Sequence, residues 1–179
     1  LLRECDIAEE VARFYGYGNI PDTLPASADA FGRKTESFVI NDVIRKACTE
    51  YGFSESMTFS FESPKTFAKL GLAEDDTLRN TVVISNPLGE DFSIMRTSLV
   101  NGLLTSLATN YNRRNKDIAL FELANVYLPK ELPLTELPDE RMTLAMGSYG
   151  EGDFFTMKGA LENVLNSLGL RGVREYRNE

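Results

Sequence analysis

Asp6, Glu9 and Glu10 stand at i, i+3 and i+4, a spacing that brings three carboxylates to one side of a single helical turn. Their mutual repulsion falls if a hard cation sits among them, and magnesium accepts one or two carboxylates while water completes its octahedron. Acidic residues in a first turn also favour the helix dipole, so the spacing alone leaves a metal site and a plain helix start both open. Arg113, Arg114 and Lys116 form the one dense basic run, open to a phosphate backbone, a solvated turn or a protein contact. Cys5 and Cys48 lie far apart and the chain has no histidine. That excludes Cys/His zinc sets and Ser-His-Asp or Cys-His relays, and the two thiols are read as reduced.

The charge balance narrows the function further. With 19 Lys and Arg against 27 Asp and Glu, the formal charge is −8, which argues against an affinity resting mainly on phosphate contacts. A hydrophobic fraction of 42% with 10% aromatics is enough for a core of one large domain, or one domain plus a fragment. No apolar run approaches the roughly 20 residues of a membrane helix, and LLRECDIAEE at the start lacks the regions of a signal peptide. The expectation is a soluble, cytoplasmic protein with no membrane partner. A start in mid-helix and a stop at REYRNE without an end signal suggest a piece of something longer.

The elements that must position these residues follow from periodicity. Ile7, Val11 and Phe14 or Tyr15 predict a helix over Glu4–Tyr15 that stops at Gly16. Pro21, Pro25 and Ser27, with alanines but no period, make 21–32 an extended linker. Ile40, Val43, Ile44, Ala47, Cys48 and Tyr51 predict an amphipathic helix over Ser37–Tyr51, with Thr35 or Ser37 as N-cap and Gly52 as stop. Met57 to Phe61 and Thr81 to Ser85 read as strands, with a short helix or turn between them in SPKTFAKLGL. Leu99, Leu103, Leu104, Leu107 and Tyr111 mark a further helix, capped near Thr97 or Ser98. Asp117 to Tyr127 is apolar on both parities, as in a strand buried on both faces. Lys130 to Glu140 reads as a solvated loop, Met142 to Met146 as a strand, and Met157, Ala160, Leu161, Val164 and Leu168 as a last helix. The order lacks regular strand–helix alternation, so the class is α+β with a largely antiparallel sheet.

Four blocks in this order carry a resemblance: DIAEEVARFYGYGNIP from Asp6 to Pro21, NPLGEDFSIMRTSLVNGLL from Asn86 to Leu104, LFELANVY from Leu120 to Tyr127, and DFFTMKGALENVL from Asp153 to Leu165. Together they resemble the beta subunit of bacterial phenylalanyl-tRNA synthetase. The resemblance implies residues 1–20 as the closing helix of a small nucleic-acid-binding-like domain and 21–32 as linker. It implies 33–179 as a catalytic-like module, truncated at its C-terminus and built on a class II synthetase antiparallel sheet flanked by helices. It also implies a heterotetramer of two alpha and two beta chains, with the chemistry in alpha and tRNA bound through the holoenzyme.

The same resemblance assigns roles residue by residue. Asp6, Glu9 and Glu10 match acidic residues of a magnesium site whose further aspartate would lie before Leu1. The alpha strand corresponding to Ile118–Leu128 carries Gly-Arg-Val-Tyr-Arg, and here the aligned residues are Ala124, Asn125, Val126, Tyr127 and Leu128. Both arginines are replaced by neutral side chains. A fixed guanidinium that meets developing phosphate charge supplies several kcal/mol of transition-state stabilisation, so no catalytic residue is expected and ATP, used by the holoenzyme, is not expected to bind here. Arg96 in MRTS matches an arginine of the catalytic relatives and is expected to be a structural ion pair or interface contact. Lys158 and Gly159 are expected to serve packing and the helix start. An apolar patch for the alpha subunit is expected on Ser37–Tyr51 or Leu99–Tyr111. The alternatives are a diverged class II-like domain that still binds ATP or an amino acid, and a stand-alone RNA-binding module, which the composition disfavours.

Overall fold

The computed structural model describes residues 3–24 and 32–172, and the chain divides into two compact units, 1–34 and 35–179. In the first unit α1 spans Glu4–Tyr15. Its start is closed by the Arg3 backbone N–H, which donates to Asp6 Oδ2 at 3.2 Å, and by the Asp6 N–H, which donates to the Arg3 carbonyl. It ends at Gly16, whose φ of 94° lies in the left-handed region that favours glycine. Of the expected linker, 21–24 carry neither helix nor strand, and 25–31 lie outside the described residues.

In the second unit α2 spans Glu36–Glu50, with Thr35 as N-cap accepting from the Phe38 N–H. Short strands β1 (Ser54–Glu55) and β2 (Phe61–Glu62), the one-turn α3 (Thr66–Lys69) and β3 (Ile94–Met95) follow. Then come α4 (Val100–Asn112), the long strands β4 (Ile118–Leu128) and β5 (Asp139–Tyr149), and α5 (Phe154–Ser167). The α5 start is capped by Asp153, whose Oδ1 accepts from the Thr156 N–H at 2.8 Å.

The main sheet has the order β1-β4-β5. β4 and β5 form an antiparallel ladder from Ile118↔Tyr149 to Leu128↔Asp139, whereas β1 runs parallel to β4 through Ser54↔Leu120 and Glu55↔Phe121. The sheet is therefore mixed: its long ladder is antiparallel, as expected, and the short β1 adds a parallel edge. The long excursion through α3 and α4 supplies the crossover that a parallel pair needs. β2 and β3 make a separate antiparallel pair.

Two expected strands are corrected. In Met57–Phe61 only Phe61 enters a strand, because the Thr58 N–H and hydroxyl go to the Glu122 carboxylate and not to a neighbouring strand. Thr81–Ser85 forms no strand and makes a single bridge, Val83↔Ile94, since the two-residue β3 offers too little edge for a ladder. β5 begins at Asp139, earlier than the apolar run suggested, because pairing with β4 carries the strand through polar residues at its wet end.

The core lies on both faces of β4. On one face Phe121 and Leu123 pack with Ala47, Cys48, Phe53, Ala160 and Val164 from α2, its following loop and α5. On the other, Leu99, Leu103 and Leu107 are buried at four-residue steps on and before α4, each side chain contributing about 2 kcal/mol by leaving water. Gly147 on β5 lets this helix approach, since a Cβ there would lie 2.9 Å from Leu107 Cδ1. Among the described residues no helix is long and apolar enough to cross a membrane.

Candidate functional site

The most buried polar constellation joins β4 to the segments before β2 and α4. Arg96 and Glu122 have side chains only 3% and 2% exposed, with Nη1 donating to Oε1 at 2.8 Å. A charge pair this deep is tolerated only when its remaining donors and acceptors are satisfied. Arg96 Nε donates to the Asn125 carbonyl at 2.9 Å, and Nη1 also reaches Thr58 Oγ1 at 3.1 Å. Glu122 accepts from the Thr58 N–H at 3.1 Å and from the Thr58 hydroxyl. The Arg96 backbone is tied on both sides, its N–H to the Ser60 carbonyl and its C=O to the Tyr127 N–H. Among the described residues no buried side-chain nitrogen or oxygen lacks a hydrogen-bond partner. Arg96 is thus spent on internal structure, the ion-pair role that its sequence context suggested.

Beside this pair opens a cleft of about 490 Å³ whose lining includes Thr58, Phe59, Glu62, Phe92, Asn101 and Gly102. Glu62 is buried and accepts from Asn101 Nδ2 at 3.2 Å. Burial raises its carboxyl above the ordinary value, opposed by the Asn101 hydrogen bond and the Arg96 charge. Sequence reasoning missed Thr58, Glu62, Asn101 and Glu122. The one available signal was a glutamate inside the apolar run LFELANVY, a residue that needs a buried cation for company.

The acidic trio is only loosely gathered. Asp6 closes the start of α1, and Glu10 Oε2 accepts from Arg13 Nη2 at 2.6 Å. Among the described residues no three carboxylate or cysteine side chains converge closely enough to hold a metal ion. Asp6, Glu9 and Glu10 therefore share a helix without forming a closed ligand set. Lys158 and Gly159 lie in α5, where a Cβ on Gly159 would come 2.5 Å from Tyr51 Oη, so the glycine serves the α2–α5 contact.

On β4, Asn125 Nδ2 donates to Glu140 Oε2 across the ladder at 3.1 Å, and Leu128 pairs in register with Asp139. The family model described as "Phenylalanyl tRNA synthetase beta chain CLM domain" matches residues 20–179. The chain belongs to the phenylalanyl-tRNA synthetase beta chain family. It is 44% identical over 172 residues to the phenylalanine–tRNA ligase beta subunit of Clostridium acetobutylicum, covering 96% of this chain and 22% of that one. The corresponding subunit of Clostridium tetani is 43% identical over 174 residues, with 97% and 22% covered. The chain thus spans about a fifth of the length of these beta-subunit relatives. Pyrrolysyl-tRNA synthetase of Desulfitobacterium hafniense shares the fold, with a TM-score of 0.60 at 20% identity over 77% of this chain and 47% of the other. The fold is accordingly α+β and shared with that synthetase, and β4 presents the neutral side chains of Asn125 and Leu128.

Proposed function

We propose that the chain is a non-catalytic segment of a phenylalanine–tRNA ligase beta subunit. It scaffolds the catalytic alpha subunit and helps to position tRNA for ATP-dependent attachment of phenylalanine, in the cytoplasm and within a heterotetramer of two alpha and two beta chains. The observation that carries this is the state of β4. Asn125 is bonded to Glu140 and Leu128 has no charge, while the nearby buried Arg96 is held by Glu122 and carbonyl oxygens. An adenylating site needs a fixed positive charge that remains available to the α-phosphate, and an arginine neutralised by a buried carboxylate cannot serve.

Support for a docking role comes from α2. Its C-terminal half buries Ala47 and Cys48, whereas Val39 and Ile40 near its start are 46% and 42% exposed. An apolar stripe left half-covered fits a helix that completes its burial against another chain. A magnesium ion at Asp6, Glu9 and Glu10 would have to take Glu10 from Arg13 and Asp6 from the α1 start, so no step of the proposed function runs through it.

Assembly is the test. The full beta subunit mixed with alpha is expected to give the mass of a heterotetramer by light scattering, and Val39→Asp with Ile40→Ser is expected to weaken that assembly at least tenfold. Normal assembly of the variant would remove α2 from the interface. A wild-type beta subunit that ignores alpha would overturn the scaffold role.

A further inference from the structure

The loop joining α4 to β4 stands apart from the rest of the surface in its charge. Several basic side chains elsewhere are matched: Arg45 with Glu55, Lys65 with Glu90, Lys130 with Glu136 and Arg141 with Asp139. Arg113, Arg114 and Lys116 are all exposed, and among the described residues none of them makes an ion pair. Asp117, the next acid along the chain, directs Oδ1 to the Glu151 N–H at 2.9 Å. Three cations within four residues, against the single adjacent carboxylate of Asp117, leave a net positive field on a chain of net charge −8, and such a field favours an anion.

The loop is also held in shape. The Arg113 N–H donates to the Thr109 carbonyl, that of Arg114 to Tyr111, and that of Asn115 to Asn110. Asn115 Nδ2 donates to Asn110 Oδ1 at 2.7 Å, and the Tyr149 hydroxyl donates to the Asn115 carbonyl at 3.0 Å. Arg114 has φ 62°, a conformation that glycine or asparagine adopts more readily. Beside the cations lies a cleft of about 500 Å³ lined by Tyr111, Asn112, Arg114, Asn115, Lys116 and Tyr149. Tyr111 is 69% exposed and edge-packed on Tyr149 at 5.7 Å between ring centroids. Cations, neutral amide donors and an exposed aromatic ring in one cleft are the elements that grip an RNA backbone and stack on an unpaired base or ribose. An acidic protein would use the charges but leave the ring and amides without purpose.

We infer that the Arg113–Lys116 loop is a contact for the sugar–phosphate backbone of RNA, and, resting on the proposed function above, that this RNA is the tRNA of the ligase. The test uses the holoenzyme of alpha with the full beta subunit and a phenylalanine tRNA transcript. A triple variant, Arg113→Gln with Arg114→Gly and Lys116→Gln, is compared with a control, Lys65→Gln with Lys130→Gln and Lys158→Gln. The control removes the same charge from residues outside the loop. Each phosphate contact adds roughly 0.7 to 0.9 to the slope of log affinity against log salt. The loop variant is therefore expected to lose about 20-fold less affinity than wild type between 50 and 200 mM salt, and the control to keep the wild-type slope. Subunit mass and tRNA-independent ATP–pyrophosphate exchange are expected to be unchanged.

An unchanged slope, or an equal change in the control, overturns the contact. So does release of alpha with tRNA affinity intact, which would assign the loop to the protein interface. If the triple variant does not assemble, Lys116→Gln alone decides, with an expected slope change of roughly 1 and none if the inference is wrong. Failure of the wild-type chains to assemble would count against the proposed function, whereas assembly with an unaltered slope counts only against the loop.

Discussion

Replacing Arg96 by methionine keeps most of the side-chain volume and removes the charge that Glu122 was buried with. Both side chains are almost wholly inaccessible and 2.8 Å apart. After the change Glu122 retains the Thr58 N–H and hydroxyl but faces no cation, and the Asn125 carbonyl loses the Arg96 Nε donor. Breaking a buried pair from one side costs about 3–5 kcal/mol. Glu122→Gln leaves an oxygen for the Thr58 N–H and for Arg96 but strands the buried guanidinium without a counter-charge, so it falls in the same range of about 3–5 kcal/mol. The exposed pair Lys65–Glu90, 62% and 71% accessible at 3.2 Å, sets the reference, because removing it costs less than about 1 kcal/mol. Urea denaturation of the chain followed by circular dichroism reads all three. With a slope of about 2 kcal/mol per molar urea, the Arg96→Met midpoint falls by about 1.5–2.5 M and the Lys65→Gln midpoint by under 0.5 M. An Arg96→Met shift no larger than that of Lys65→Gln would refute the claim that this pair is internal structure.

Gly102→Ala, in the first turn of α4, reverses the usual sign of a helical glycine replacement: a Cβ there would meet Thr58, whose own Cβ is 3.0 Å away. Because Glu122 fixes Thr58, the change is expected to destabilise by about 1–3 kcal/mol, where an open helix site would gain about 1 kcal/mol; a measured gain would show that Thr58 yields. Glu62 has its carboxyl raised by burial above 4.5, so the unfolded chain ionises first as pH rises. Its contribution to stability is full below pH 4.5 and is lost as pH climbs through the folded value. Glu62→Gln should therefore be neutral at pH 4 and stabilising at pH 7 in thermal melts, and equal effects at both would contradict the assignment. Cys5 is exposed and Cys48 buried, with burial pushing the Cys48 thiol up to about 11. A thiol reagent at pH 8 should modify one cysteine in the native chain and the second only on unfolding; two fast equivalents would refute it.

The helices were legible because each carries an uninterrupted apolar stripe. Ala47 and Cys48 on α2, Leu103 and Leu107 on α4, and Ala160 and Val164 on α5 are the residues that the core claims. β4 was legible for a related reason, with apolar residues on both parities and helices on both faces. The mixed sheet was not. A two-residue strand such as β1 carries no period, and its direction is set by the distant β4. Met57–Phe61 alternates like a strand, yet Thr58 gives its hydrogen bonds to Glu122, 64 residues away in sequence. The polar site was hidden likewise: Arg96 could be flagged from its motif, but Glu62 and Glu122 become its neighbours only through tertiary folding. The acidic trio shows the converse, since correct helical spacing brought the residues onto one helix without bringing them together around a point.

The central claim, that the chain supports an active site without containing one, is tested most directly by calorimetric titration of the purified chain with ATP and magnesium, beside a titration with the alpha subunit. No saturable heat with ATP and stoichiometric binding to alpha are expected. Stoichiometric ATP binding at physiological concentration would contradict it, because some other cation would then have replaced the arginines absent at Asn125 and Leu128.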